Sequence, residues 1–228
     1  MSGTGFYWHE RCFWHDQGAI GVFSAPGEFL QPQAASESPE SKRRLKNILE
    51  VSGLIDELYV VKPPAATLED LLRFHTPRYL EELQAGDAAR GGNGGDCAPY
   101  MPGSWAAATH SAGLAIAAVD AVARGEVRNA YALCRPPGHH AEADQGRGFC
   151  LLGNIPVAVM RAQALGQASR VAILDWDVHH GNGQQAAFYR DPNTFTISIH
   201  QAANYPLESG AFEEQGEGAG TGANLNLP

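Results

Sequence analysis

The sequence predicts a three-layer α/β/α domain built on a mainly parallel sheet. From residue 129 onward, strand-like apolar runs alternate with helical runs, and such alternation means crossover units and parallel strands. Polar clusters also gather just after those strands, where open α/β sheets collect their ligands. The 228 residues suffice for a sizeable buried core, and 1–228 is read as one domain.

The elements follow in order. "GFYW" (5–8) is a short strand, and residues 9–38, rich in Gly, Pro, Ser and Gln, are expected to be irregular. "SPESKRRLKNILEVSG" (38–53) is a helix: Ser38 suits its cap, Pro39 its first turn, and Gly53 its end. Leu45, Ile48 and Leu49 form its apolar stripe. "LYVVKP" (58–63) reads as a strand. "TLEDLLRFH" (67–75) opens with a capping box from Thr67 to Asp70, and a further helix covers about 77–85. Residues 88–104 form a glycine-rich loop that lacks the marks of a phosphate loop or dinucleotide fingerprint, which argues against nucleotide binding. A long helix at 104–124 stops at Gly125. Then come a strand at 129–134, a helix at 154–166, a strand at 170–176, a helix at 182–190, a strand at 194–200 and a last strand at 223–228. There is no internal repeat. The chain stops at "NLNLP" within this alternation, so the domain is expected to be truncated at its C-terminal end.

Composition narrows the function classes. Hydrophobic content of 44% and charged content of 18% are those of a soluble globular protein. A formal charge of −9, with no basic cluster larger than "SKRRLK" (41–46), argues against a nucleic-acid partner and tolerates cationic substrates. The amino terminus does not read as a secretory signal. The longest apolar stretch, "AGLAIAAVDAVA" (112–123), is interrupted by Asp120 and is short for a bilayer. A cytoplasmic protein without a membrane partner is expected. Cys12, Cys97, Cys134 and Cys150 show no CxxC, as for buried thiols in a reducing compartment.

Three polar clusters carry the chemistry: "RPPGHHAEADQGRGFC" (135–150), "DWDVHHGNG" (175–183) and "SIHQ" (198–201). On an extended backbone Asp175, Asp177 and His179 would point the same way, with Trp176 and Val178 opposite. Two carboxylates and an imidazole facing one point call for a cation, and aspartate oxygen with histidine nitrogen suits zinc. The tandem His139 and His140 suit general acid–base work, each needing an acceptor on its other ring nitrogen. Asp175 could hold one of the pair and Asn182 the other.

In order and spacing, "RPPGHHA", "GFC", "ILDWDVHHGNG" and "SIHQ" closely resemble the zinc-dependent histone deacetylase superfamily, with its arginase/deacetylase-like fold. "DWD" and "GNG" resemble class II deacetylases and bacterial deacetylase-like amidohydrolases; class I enzymes usually carry Asp where this chain has Asn182. The resemblance implies that Asp177 and His179 are zinc ligands, His140 the general base and His139 its electrostatic partner. Asp175 would then orient His139, and Asn182 would orient His140. Gly148 and Phe149 would line an acyl channel with Tyr205 opposite. A structural potassium ion would touch Asp175, Ser198 and the carbonyls of Asp177, His179 and Ile199. A second monovalent cation would sit on carbonyls of Phe188, Asp191 and Thr194. The family's third zinc ligand, an aspartate, and its carbonyl-polarising tyrosine have no counterpart: no Asp follows Asp191, and Tyr205 is in the wrong segment. The implied reaction is zinc-dependent hydrolysis of acetyl-amide bonds, in acetylated lysine peptides first. Acetylpolyamine hydrolysis is the runner-up, since "PGSWAAA" and "LCRPPGHH" also look like polyamine amidohydrolases, with a small acetylated amine as substrate. A catalytically incomplete binding module on this scaffold is the reading from a different class, and a homo-oligomer is left open.

Overall fold

The computed structural model describes residues 3–18, 31 and 35–228. Strand β1 (Thr4–Tyr7) leads into a 3-10 helix (Glu10–Trp14), whose first turn is capped by the His9 side chain accepting the Arg11 N–H. That helix lies in the segment expected to be irregular, much of which falls outside the described residues. Helix α1 (Glu40–Val51) has Pro39 at its N-cap rather than in its first turn, and Ser38 Oγ accepts the Glu40 N–H from one residue further out. Gly53, at φ 76°, takes the left-handed conformation that ends α1. Strand β2 (Tyr59–Val61) follows.

The capping box forms, with Asp70 N–H on Thr67 Oγ1 and Thr67 N–H on the Asp70 carboxylate. The helix it opens, α2 (Leu68–Leu71), is a single turn and does not reach residue 75. Turns continue beyond it, with His75 N–H donating to the Leu71 carbonyl, and Thr76, held in extended backbone before Pro77, caps α3 (Pro77–Ala89), so α2 cannot run on into α3. The glycine-rich segment is less irregular than expected and carries β3 (Gly92–Asn93), β4 (Gly95–Asp96) and β5 (Pro99–Tyr100).

Helix α4 (Ser104–Ala123) spans the expected bounds and includes the apolar stretch at 112–123; by length and composition alone it could cross a membrane. In this fold thirteen of its twenty residues are buried. It packs on β1 and on the two elements that come next, β6 (Asn129–Ala132) and, beyond the short β7 (Gly146–Arg147), α5 (Asn154–Ala164). The core around Phe6, Tyr7, Leu114 and Leu133 and that around Leu80, Leu83, Leu151 and Leu152 share this helix. β8 (Val171–Asp175), α6 (Asn182–Phe188), β9 (Thr194–Ile199) and β10 (Asn224–Leu227) each fall inside the expected bounds.

The long strands pair only in parallel, but in two sheets of three, ordered β2-β1-β6 and β10-β9-β8. Among the described residues no ladder joins β6 to β8, and those two strands flank a groove of about 510 Å³ that α4 and α5 also line. The β8–β9 register sets Asp175 opposite Ser198. In β9 the buried face is polar (Thr194, Thr196, Ser198), while Phe195 and Ile199 are exposed on the other. Burying those polar groups is offset by hydrogen bonds: Thr196 donates to Asn224, and Asn224 and Asn226 both donate to Gln185 Oε1 on α6. That polar seam fixes α6 against the sheet and so places Asn182 at its first turn.

Candidate metal and proton-relay site

β8 delivers Asp175, and there the extended backbone ends. Asp177 N–H donates to Asp175 Oδ1 (3.0 Å), and His179 N–H donates to Asp177 Oδ1 (2.8 Å). Two successive aspartate turns, rather than strand alternation, set these side chains: Asp177 meets His179 while Asp175 turns to His139, which corrects the expectation that all three point the same way. Trp176 and Val178 point outward and are exposed. Asp177 Oδ1 lies 3.0 Å from His179 Nδ1, and both residues line a cavity of about 450 Å³ with His139, His140, Gly148, Phe149 and Tyr205.

The two histidines enter on a loop anchored from behind. Ser111 Oγ and Asn154 Nδ2 both donate to the Pro136 carbonyl, and Gly183 N–H donates to that of His139. A Cβ at Gly183 would stand 2.2 Å from the Ala141 oxygen, so only glycine lets α6 close on the loop. The rings of His139 and His140 are 3.9 Å apart. His139 Nδ1 meets Asp175 Oδ2 at 2.9 Å, and His140 Nδ1 meets Asn182 Oδ1 at 2.7 Å. Burial pushes the His140 pKa down to about 3, with the adjacent His139 adding to the effect. The ring is thus neutral at physiological pH, and with Nδ1–H given to Asn182 its Nε2 is free to take a proton. Burial raises the Asp175 carboxyl, but the hydrogen bond and charge of His139 and the Asp177 N–H outweigh it, leaving the pKa below the ordinary carboxylate value. Gln184 Nε2 adds a further donor to Asp175 at 2.9 Å.

Gly148 (φ 49°) and Phe149 (φ 68°) form the cavity wall in left-handed backbone. A Cβ on Gly148 would stand 2.3 Å from His140 Cδ2 and 2.9 Å from Tyr205 Cε1, so the channel has its width because residue 148 has no side chain. Tyr205 faces His140 edge-on at 5.0 Å between centroids, and its hydroxyl donates to Asp96 Oδ2 at 2.9 Å.

The residues named for monovalent cations are placed as follows. Ser198 Oγ accepts the Gly181 N–H (3.3 Å) and meets His200 Nδ1 (2.9 Å), with Ile199 exposed beside it. Phe188, Asp191 and Thr194 share one turn: the Phe188 carbonyl accepts the Asp191 N–H, and Thr194 Oγ1 donates to Asp191 Oδ2. His180 is buried away from the cavity, its ring nitrogens meeting Ser209 and Gln185. Among the described residues no group of three or more His, Cys, Asp or Glu is arranged to hold a metal ion. Asp177 and His179 stand as a pair.

Sequence reasoning missed the residues behind this arrangement. Glu142 Oε1 accepts from Asn182 Nδ2 (2.8 Å) and Arg147 Nη1 (3.0 Å), and Arg147 also pairs with Asp96 and Glu208. The signal was an acid and a base inside the polar cluster 135–150, but their partners come from other segments.

The histone deacetylase domain family matches residues 36–228. The chain belongs to that family. It is 50% identical over 228 residues to the histone deacetylase-like amidohydrolase of Pseudomonas aeruginosa, a match covering 99% of this chain and 60% of that protein. Histone deacetylase 8 of Arabidopsis thaliana is 36% identical over 97% of this chain and 61% of its own length. The crystal structure of the HDA15 HD domain superposes with a TM-score of 0.89 at 31% identity, over all of this chain and 63% of that one. The fold is accordingly the three-layer α/β/α architecture of the deacetylase family. The chain spans about three fifths of the length of the curated relatives it matches.

Proposed function

We propose that the polypeptide hydrolyses acetyl-amide bonds, with acetyl-lysine in peptides as the leading substrate, by attack of a metal-activated water. The observation that supports this reading is the pair of adjacent histidines, each bonded at Nδ1 to a different acceptor, opening with Asp177 and His179 onto one cavity. An aspartate oxygen and a histidine nitrogen 3.0 Å apart, partly exposed toward that cavity, fit the donor set of zinc. A catalytic zinc takes three protein ligands, so these two are part of the set. When bound, zinc polarises the acyl oxygen and makes water a stronger acid.

The chain's own residues then do the following. His140 Nε2 accepts a proton from the attacking water, and Asn182 holds the ring by its other nitrogen. His139, carried by Asp175, stabilises the developing charge, and a histidine returns a proton to the leaving amine. Gly148, Phe149 and Tyr205 wall the acyl chain and exclude bulk water. Potassium at Asp175, Ser198 and Ile199, with the Asp177 and His179 carbonyls, would brace the β8–β9 ends, and a second cation at Phe188, Asp191 and Thr194 would brace the turn after α6.

Acetylpolyamine hydrolysis is the second reading. It is favoured by the carboxylates of Asp96 and Glu208 near the mouth, which share the single cation of Arg147. The test is acetate release by the zinc-loaded full-length enzyme from an acetyl-lysine peptide and from acetylputrescine. Faster release from the peptide is expected; faster release from acetylputrescine selects the second reading, and release from neither sinks both.

A further inference from the structure

We propose that Glu142 and Arg147 are positioning residues that hold His140 in its proton-accepting tautomer by fixing the side-chain amide of Asn182. The inference rests on the reading of His140 as the general base.

Asn182 is buried, 4% exposed, between two neighbours of opposite demand. Its Oδ1 lies 2.7 Å from His140 Nδ1, while its Nδ2 donates to Glu142 Oε1 at 2.8 Å and to the His140 carbonyl at 3.3 Å. A carboxylate and a carbonyl can only accept, so the NH₂ end of the amide must face them and its oxygen must face His140. That oxygen is itself only an acceptor. Nδ1 of His140 must therefore carry the hydrogen, and Nε2 keeps its lone pair.

An aspartate at position 182 would need no such arrangement, because its two oxygens are equivalent. An asparagine needs something to tell its ends apart. Glu142 is the short, charged contact of the two that do so. Its own carboxylate is held at both oxygens: Arg147 Nη1 reaches Oε1 at 3.0 Å, and Gln145 Nε2 reaches Oε2 at 2.8 Å. Arg147 is in turn fixed by Asp96 and Glu208, so a network of four charged side chains from three segments ends, through Glu142, on one amide. The side chain of Arg147 is only 12% exposed, which favours a set geometry over a mobile surface pair.

The test combines a tautomer measurement with kinetics. Long-range ¹H–¹⁵N spectra of the full-length enzyme labelled with ¹⁵N-histidine report, at neutral pH, which nitrogen of His140 carries the hydrogen. In Glu142→Ala, a population of His140 with the hydrogen on Nε2 is expected, and kcat on the acetyl-lysine peptide should fall about 10–100-fold with KM unchanged. Asn182→Asp in the same background should restore kcat to that of Asn182→Asp alone, since the orienting contact is then redundant. Arg147→Met should lower kcat in the same direction, and Arg147→Lys should recover part of it. An unchanged tautomer in Glu142→Ala, or no recovery in the double variant, overturns the proposal; misfolding of the single variant is separated by that same recovery. An inert wild-type enzyme, combined with the tautomer change in Glu142→Ala, would defeat the deacetylase reading and leave the positioning role standing.

Discussion

Asp177 Oδ1 accepts the backbone N–H of His179 at 2.8 Å and lies 3.0 Å from its Nδ1, so one carboxylate both folds the turn and faces the imidazole. The two roles separate in variants. Asp177→Ala should lose bound zinc and loosen the turn. Asp177→Asn, which keeps an acceptor for the His179 N–H, should lose zinc while the fold stays intact, and His179→Ala should also lose it. Metal analysis of the purified proteins beside their circular dichroism decides this. Stoichiometric zinc in Asp177→Ala would remove the residue from the ligand set.

His140→Ala removes the proposed base and leaves Asp177 and His179 untouched. The rate of acetate release should fall about 10²–10⁴-fold, with zinc content unchanged. A parallel loss of zinc would make His140 a ligand instead.

Gly148→Ala puts a methyl group into the channel, against His140 and Tyr205, at a φ of 49°. The backbone strain is on the order of 1–2 kcal/mol, too little to unfold a domain of this size but enough to lower the melting temperature. Activity should fall far more than stability does. Equal activity to wild type would mean that the acyl group does not pass this wall.

Acid should weaken the fold through buried histidines. His75, 2% exposed, accepts the Gly153 N–H on Nε2 at 2.9 Å, and burial pushes its pKa down to about 4. A folded pKa below the ordinary 6.5 means that the unfolded chain binds the proton more readily. The stabilisation is fully present above 6.5 and is lost as pH falls toward about 4, at no more than about 1.4 kcal/mol per unit for one group. His15 and His140, both lowered to about 3, act with the same sign. Urea unfolding at about pH 7 and about pH 5 measures the slope, which His75→Gln should flatten. An unaltered slope in that variant would assign the effect elsewhere.

The order of strands and helices was legible because hydrophobic period and capping chemistry act over a few residues: the box at Thr67 and Asp70 formed, and Gly53 ended its helix. The length of α2 was not, since its apolar pattern runs on through residues that fold as turns. The histidine, aspartate and asparagine residues of the site were legible as dense polar clusters after apolar strands, while the turns that converge them were not. By itself, then, the sequence determined the alternation of elements, the family and the identities of the residues around the cavity, all of which are local or motif-bound properties. Only the tertiary structure decided that the parallel strands pair as two threes, that Asp175 lies opposite Ser198, and that Glu142 and Arg147 stand behind Asn182. Those facts depend on strand register and loop packing between segments far apart in the chain, where a displacement of about an ångström breaks a hydrogen bond and no local pattern records it.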